Sequence, residues 1–305
     1  MGPTASGKTN LAIDLLAYLD LEIISVDSAL IYREMDIGTA KPSSLILQQA
    51  PHRLIDTHDP SEIYSAAEFR IEAIDAIEEI LSKGRIPLLV GGTMLYFHVL
   101  QQGIAPLPSA NVSVRQQLKK ELEKLGLKKI YERLAVIDPI AAQRIHPNDT
   151  QRTLRALEVA RLSGKTLTEL QSMPNLLTFP YLFINIALFP EDRHLLHKTI
   201  ENRFQSMLDL GFIEEVEKLF KRGDLHENLP SIRTVGYRQI WNYLLNNMTY
   251  IEMQTRAMIA TRQLAKRQLT WLRSWKTLHR LRSYDSENVK KITELIKMSL
   301  NKANF

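Results

Sequence analysis

MGPTASGKT, residues 1–9, is the stretch on which the reading of the chain turns. Gly2, Gly7, Lys8 and Thr9 fit G-x-x-x-x-G-K-[ST], a glycine-rich loop that cradles phosphate oxygens and opens a helix. Glycine lets the backbone come close to an anion. Main-chain N–H groups of Thr4, Ala5, Ser6, Gly7 and Lys8 then point at it, while Pro3 has no donor to offer. Lys8 adds a mobile positive charge and the Thr9 hydroxyl can hold Mg²⁺. Gly2 to Thr9 are therefore the candidate phosphate-binding residues. Such a loop normally follows a strand, and no residues stand before it to form one. The expectation is that the first strand before the loop is missing from this chain, with Met1 an internal methionine taken as the start.

Working outward, residues 8–18 carry a helical pattern, and LEIISV at 21–26 reads as a buried strand ending at Asp27. Ser65 and Glu68 form a capping box ahead of an apolar stripe (Phe69, Ala73, Ile77, Ile80, Leu81) that Gly84 stops. IPLLV at 86–90 is a second apolar run, followed by the tight Gly91-Gly92-Thr93 turn. Strands alternating with helices indicate α/β architecture with a parallel sheet. The pattern stops at GIAPLPSA, 103–110. Residues 111–180 read as short helices, one running from an Asn148/Asp149 cap to Gly164. YLFINIAL at 181–188 resumes the strand signal, and long helices follow to about 275. The expected organisation is a P-loop NTPase-like parallel sheet with helices on both faces (1–110 and 181–305), interrupted by a helical insertion domain (111–180).

The chain of 305 residues contains no cysteine, which excludes disulfides, thiolate metal sites and a cysteine nucleophile, and fits a reducing cytoplasm. No apolar run has the length of a membrane span, and no signal peptide is visible at the N-terminus. The formal net charge of +5 points to a polyanionic partner. From Met253 to Tyr284 there is no acidic residue, while eight lysines and arginines (Arg256, Arg262, Lys266, Arg267, Arg273, Lys276, Arg280 and Arg282) stand among Trp271 and Trp275. A solvated helix face would explain such a run, but its single sign and interleaved aromatics favour nucleic acid.

Nucleotide hydrolases of this loop class also show an apolar strand ending in a Mg²⁺-organising aspartate much farther along. Here the later strand ends in glycine, and the strand-terminal carboxylate is Asp27. That position is suited to handling a proton at the ligand edge of the sheet, although a cap of the next segment would also explain it. His194 and His197 lack a supporting carboxylate pattern and carry no metal expectation.

Six runs, in order, resemble the bacterial tRNA dimethylallyltransferases, also called tRNA isopentenyltransferases. They are GPTASGKT (2–9), ISVDSALIYREMDIGTAKP (24–42), RIPLLVGGTMLYF (85–97), RIHPNDTQRTLRALE (144–158), NLPSIRTVGYRQ (228–239) and ATRQLAKRQLTWLR (260–273). The resemblance implies transfer of a dimethylallyl group from dimethylallyl diphosphate to N6 of adenosine 37, beside the anticodon of tRNA. It implies Asp27 as general base, Thr93 beside the reacting amine, and Lys8, Thr9-bound Mg²⁺ and Arg203 on the diphosphate. It implies tRNA contacts from Asp27, Ser28, Ala29, Leu30, Thr93 and Arg115, and from Gln151, Arg152, Thr153, Leu154 and Arg155. Further contacts are implied for Arg233, Thr234, Val235, Gly236, Tyr237 and Arg238, and for Lys266, Arg267, Gln268, Leu269, Thr270, Trp271, Leu272 and Arg273. The insertion would grip the anticodon stem-loop, and the enzyme would be a monomer with no obligate protein partner. The residues alone leave open an adenylate isopentenyltransferase acting on free nucleotide, an ATP-using small-molecule kinase, and an RNA-binding protein with a vestigial loop.

Overall fold

A computed structural model describes residues 1–173, 179 and 181–303 of the chain. Residues 174–178 and 180, at the end of the expected insertion, lie outside the described residues. The chain divides into two compact units, Met1–Gln101 with Tyr181–Phe305, and Gln102–Pro180. The proline-containing connection 103–110 thus goes with the helical unit.

The first unit begins with α1 (Lys8–Leu15), β1 (Leu21–Val26), α2 (Ser44–Gln49), β2 (His52–Arg53), α3 (Ala66–Ser82), β3 (Ile86–Gly91) and α4 (Met94–Gln102). The second unit supplies α5 (Val112–Ile137), α6 (Pro139–Arg144), α7 (Thr150–Ser163) and α8 (Leu167–Ser172). The chain then returns to the first unit with β4 (Ile186–Phe189), α9 (Arg193–Asp209), α10 (Phe212–Lys221), α11 (Tyr237–Leu244), α12 (Tyr250–Ser274), β5 (His279–Arg282) and α13 (Asn288–Ala303).

Strand β1 is the inner strand of a parallel three-stranded sheet in the order β2-β1-β3, with Ile23 opposite both His52 and Leu88. Ile23, Ile24 and Val26 are fully buried, as expected of a parallel strand covered on both faces. Ser65 and Glu68 close the reciprocal capping box of α3, and Phe69, Ala73, Ile77 and Ile80 turn inward below it. A second parallel pair, β4-β5, aligns Ile186 with His279 and Phe189 with Arg282. Met1 lies alongside β4: its amino group donates to the Ile186 carbonyl (2.8 Å), and Leu188 N–H donates to the Met1 carbonyl (3.0 Å). The apolar run 181–188 becomes a strand only from Ile186, since Leu182 upstream is 97% exposed.

The helical unit has its own core, built from Leu118, Ile130 and Leu134 of α5 with Ala141, Ile145, Ala156 and Leu157. Gly126, at φ 78°, interrupts α5 and lets its two halves pack on that core. Asp138 caps α6 by accepting from Ala141 N–H (2.9 Å), and it also accepts from the Thr168 N–H (2.9 Å) and hydroxyl (2.7 Å) of α8. Burial raises the Asp138 pKa, but these hydrogen bonds outweigh it and hold the carboxyl below its ordinary range.

Candidate active site

The loop of residues 2–7 turns through two left-handed residues, Ala5 (φ 59°) and Gly7 (φ 82°), before α1 begins at Lys8. This is the curvature that aims successive N–H groups to one side. Among the described residues, nothing accepts from the main-chain N–H groups of Ser6, Gly7, Lys8 or Thr9. The Ser6 hydroxyl is likewise buried with no partner among them. Lys8 reaches back over the loop and donates to the Pro3 carbonyl (2.6 Å). Burial lowers its amine to about 8, with Asp27 opposing and Arg203 reinforcing the shift. An anion placed here would relieve both the unpaired donors and the desolvated ammonium.

Facing the loop, Asp27 directly follows β1, and Gly92-Thr93 follow Gly91 at the end of β3. A Cβ on Gly91 would lie 1.9 Å from the Val26 carbonyl oxygen, so only glycine lets the two strand ends close together. The Asp27 carboxylate accepts from Ala29 N–H (2.9 Å), which fixes one oxygen and leaves the other for chemistry. The Thr93 hydroxyl accepts from Ser28 N–H (3.0 Å), tying the two strand ends across the sheet. Arg203 projects from α9 into the same space. Burial depresses the pKa of its guanidinium, and the Asp27 carboxylate opposes that shift. Arg203 is thus not the solvated arginine that its helical context would suggest.

Thr4, Lys8, Thr9, Asp27, Gly92 and Arg203 all line one cavity of about 180 Å³. Its far wall comes from Gly38–Ala40, Phe212 and Thr234–Gly236. Glu215 of α10 builds that wall. It accepts from the Asp36 (2.9 Å), Ile37 (2.7 Å) and Gly38 (3.1 Å) N–H groups and from the Tyr237 hydroxyl (2.5 Å). A cavity with one carboxylate and two cations around unpaired N–H donors is suited to a diphosphate whose attached group meets a proton-bearing nucleophile.

Residues 30–275 match the family model described as IPP transferase. The chain belongs to that family. It is 35% identical to a full-length tRNA isopentenylpyrophosphate transferase of Bacillus halodurans, covering 99% of this chain and 95% of that one, with a TM-score of 0.72. It is 33% identical to a tRNA delta(2)-isopentenylpyrophosphate transferase of Staphylococcus epidermidis, over 99% and 97% of the two chains, with a TM-score of 0.69. A eukaryotic dimethylallyltransferase solved acting on tRNA is 26% identical, over 99% and 78%, with a TM-score of 0.76.

In this transferase the sequence-derived tRNA residues separate by environment. Asp27, Ala29, Leu30, Thr234, Val235 and Gly236 line the cavity. Ser28, Arg233, Arg238, Lys266, Arg267, Thr270, Trp271 and Arg273 are exposed on the first unit, and Gln151 and Arg152 are exposed on the second. Leu269 instead packs on the cluster of Ala5, Leu196, Ile200 and Ala265, and Leu154 on the helical core. Thr153, Tyr237 and Leu272 are fully buried, so their side chains cannot meet an RNA. Arg115 and Arg155 do not simply face solvent: both pair with the buried Glu158 (3.0 and 2.8 Å), and Arg155 also donates to the Pro108 carbonyl.

Gln268 needs the clearest correction. Its amide oxygen accepts from Thr4 N–H (2.8 Å) and its amide nitrogen donates to the Gly92 carbonyl (2.9 Å). The Thr4 N–H, expected on phosphate, is therefore already engaged. Gln268 joins the loop to the end of β3, a role no local sequence signal reveals because its partners lie so far away in the chain. Glu215 was missed for the same reason.

Proposed function

We propose that this chain is a tRNA dimethylallyltransferase, moving the dimethylallyl group of dimethylallyl diphosphate onto N6 of adenosine 37, next to the anticodon. The observation that carries the reading is the convergence of Asp27, Lys8, Thr9 and Arg203 on one cavity in a chain of the IPP transferase family. An exocyclic adenine amine is a weak nucleophile because its lone pair is delocalised. As the N6–C1 bond forms and the C1–O bond breaks, the amine proton passes to the Asp27 carboxylate and diphosphate leaves with the bonding electrons. A positioned base of this kind contributes about 10²–10⁴-fold. Lys8, Arg203 and the N–H groups of Ser6 to Thr9 hold the charge that builds on the leaving group.

Among the described residues there is no group of three or more His, Cys, Asp or Glu able to hold a metal. The Thr9 hydroxyl is a hard oxygen donor on the cavity wall, which fits Mg²⁺ held mostly by substrate oxygens and water. When bound, that ion neutralises diphosphate charge. Because the acceptor base is stacked in its loop, it must flip out to reach Asp27. The exposed Arg238, Lys266, Arg267 and Arg273 supply positive charge for RNA phosphates, so binding should weaken as salt rises. No helix among the described residues is long and apolar enough to cross a membrane.

The test is direct. The protein is incubated with Mg²⁺, dimethylallyl diphosphate and unmodified tRNA carrying adenosine at the target position, and nucleosides are analysed by mass spectrometry. Prenylated adenosine in the tRNA is the expected product. Prenylation of free adenine nucleotide with none in tRNA would assign a different acceptor, and no prenylation by folded protein would end the proposal.

A further inference from the structure

The turn between β5 and α13 is fastened at several points. Ser283 N–H donates to the Phe189 carbonyl (2.9 Å), and the Asn288 side chain donates to the Arg282 carbonyl (2.7 Å). Asp285 accepts from Glu287 N–H (2.9 Å) and from Lys291 Nζ (2.7 Å). Within this frame Tyr284 adopts φ 63°, a left-handed conformation rare for a bulky side chain. It does so while reaching the opposite end of the chain. Its hydroxyl donates to the Ala5 carbonyl (2.7 Å), and its ring covers Gly7, where an added Cβ would lie 2.9 Å from the ring edge.

Ala5 and Gly7 are the two left-handed residues of the phosphate loop, so a single side chain touches both points where the loop bends. The contact has a chemical consequence. In a trans peptide the C=O and the following N–H point in opposite directions. Fixing the Ala5 carbonyl on Tyr284 therefore fixes the Ser6 N–H on the other side of the same plane. That N–H is one of those with no acceptor among the described residues. Were the peptide to flip, a carbonyl oxygen would replace a donor and repel an anion. Ala5 lines the cavity whereas Tyr284 does not, so the effect of Tyr284 must pass through the loop.

We propose that Tyr284 is a positioning residue for the diphosphate, holding the loop in the curvature that presents its N–H donors. The inference rests on the transferase reading, and it assigns a role outside the loop motif. Calorimetric titration of inorganic diphosphate with Mg²⁺ into the unsubstituted 305-residue protein, Tyr284→Phe and Tyr284→Ala tests it. Loss of the orienting bond in Tyr284→Phe should weaken diphosphate by a few-fold. Loss of bond and ring in Tyr284→Ala should weaken it by about tenfold or more. The KM for dimethylallyl diphosphate should rise in the same order, with the KM for tRNA unchanged. Diphosphate affinity in Tyr284→Ala within twofold of the parent overturns the proposal, including the case where only its thermal midpoint falls. Equal losses in both KM values overturn it as well. If the unsubstituted protein binds no diphosphate at all, the transferase reading fails instead.

Discussion

The glutamate clusters of the helical unit and the cavity of the α/β unit place charged side chains in opposite circumstances. In the helical unit two glutamates are each matched by two arginines. Glu158, 1% exposed, accepts from Arg115, Arg155 and the Asn111 N–H, and Glu121 pairs with both Arg133 and Arg161. In the α/β unit the cavity holds Lys8 and Arg203 against only Asp27, with N–H donors left over. Matched charges fasten helices to one another. Unmatched ones are costly to keep and are explained by a ligand that completes them. The same residue types therefore mean different things in the two places, and burial with its partner count tells them apart.

The sharpest way to break this contrast is at Asp27. Asp27→Asn should lower single-turnover transfer by about 10²–10⁴-fold while tRNA affinity in a filter-binding assay stays close to the parent. If tRNA binding collapses with the chemistry intact at saturation, the base role is wrong. Lys8→Met should follow, with a loss of about 10²–10³-fold in kcat. Arg115→Met removes one positive charge too, but from the matched unit, so its transfer rate at saturating tRNA should fall by only a few-fold. Equal losses from the two substitutions would erase the distinction drawn between the units.

How much of this could be read from the residues depends on how local each cause is. The loop, β1, β3, the Ser65 cap and the Asp149-to-Gly164 helix were legible because propensity, periodicity and capping act over a few positions. β5 was not. Its residues, His279 to Arg282, show no apolar alternation, and only pairing with β4 makes them a strand. α13 was missed as well, although Ile292 and Ile296 bury it against Leu15 and Leu21. Within the site, Asp27 and Lys8 announce themselves by position relative to a strand and a loop. Gln268, Glu215 and Tyr284 act on backbone atoms far away in the sequence, and no spacing rule reaches that distance. The basic run was read as a surface, whereas the helix it lies on turns Gln268 and Leu272 inward.

Smaller effects sharpen the picture on the matched side. Glu158→Gln leaves Arg115 and Arg155 without their countercharge, and it should cost about 1–3 kcal/mol in urea unfolding. The cost is limited because both arginines retain some contact with water. Acid should act on the same groups. The hydrogen bonds and ion pairs at Glu158 outweigh its burial, and its pKa falls below the ordinary 4.5. Asp138 is held below its ordinary 3.8 in a similar way. In the window beneath those values the unfolded chain binds more protons than the folded one, so stability rises with pH there. The contribution is complete above the unfolded values and is lost as pH falls through the folded ones. Hydrogen exchange followed by mass spectrometry from pH 6 down to pH 3, corrected for the intrinsic rate, should show the helical unit losing protection as the pH falls. Glu158→Gln should flatten that dependence.

The bridge at Gln268 has a polarity. An acceptor must face Thr4 and a donor must face Gly92, and a neutral amide supplies one of each from a single planar group. Glutamate has the same shape but offers two acceptors, so its second oxygen would confront the Gly92 carbonyl. Helix α12 is thus keyed to the sheet like a connector that seats in only one orientation. The least conspicuous polar residue of a basic helix checks that the loop at residue 4 and the strand end at residue 92 are both in place.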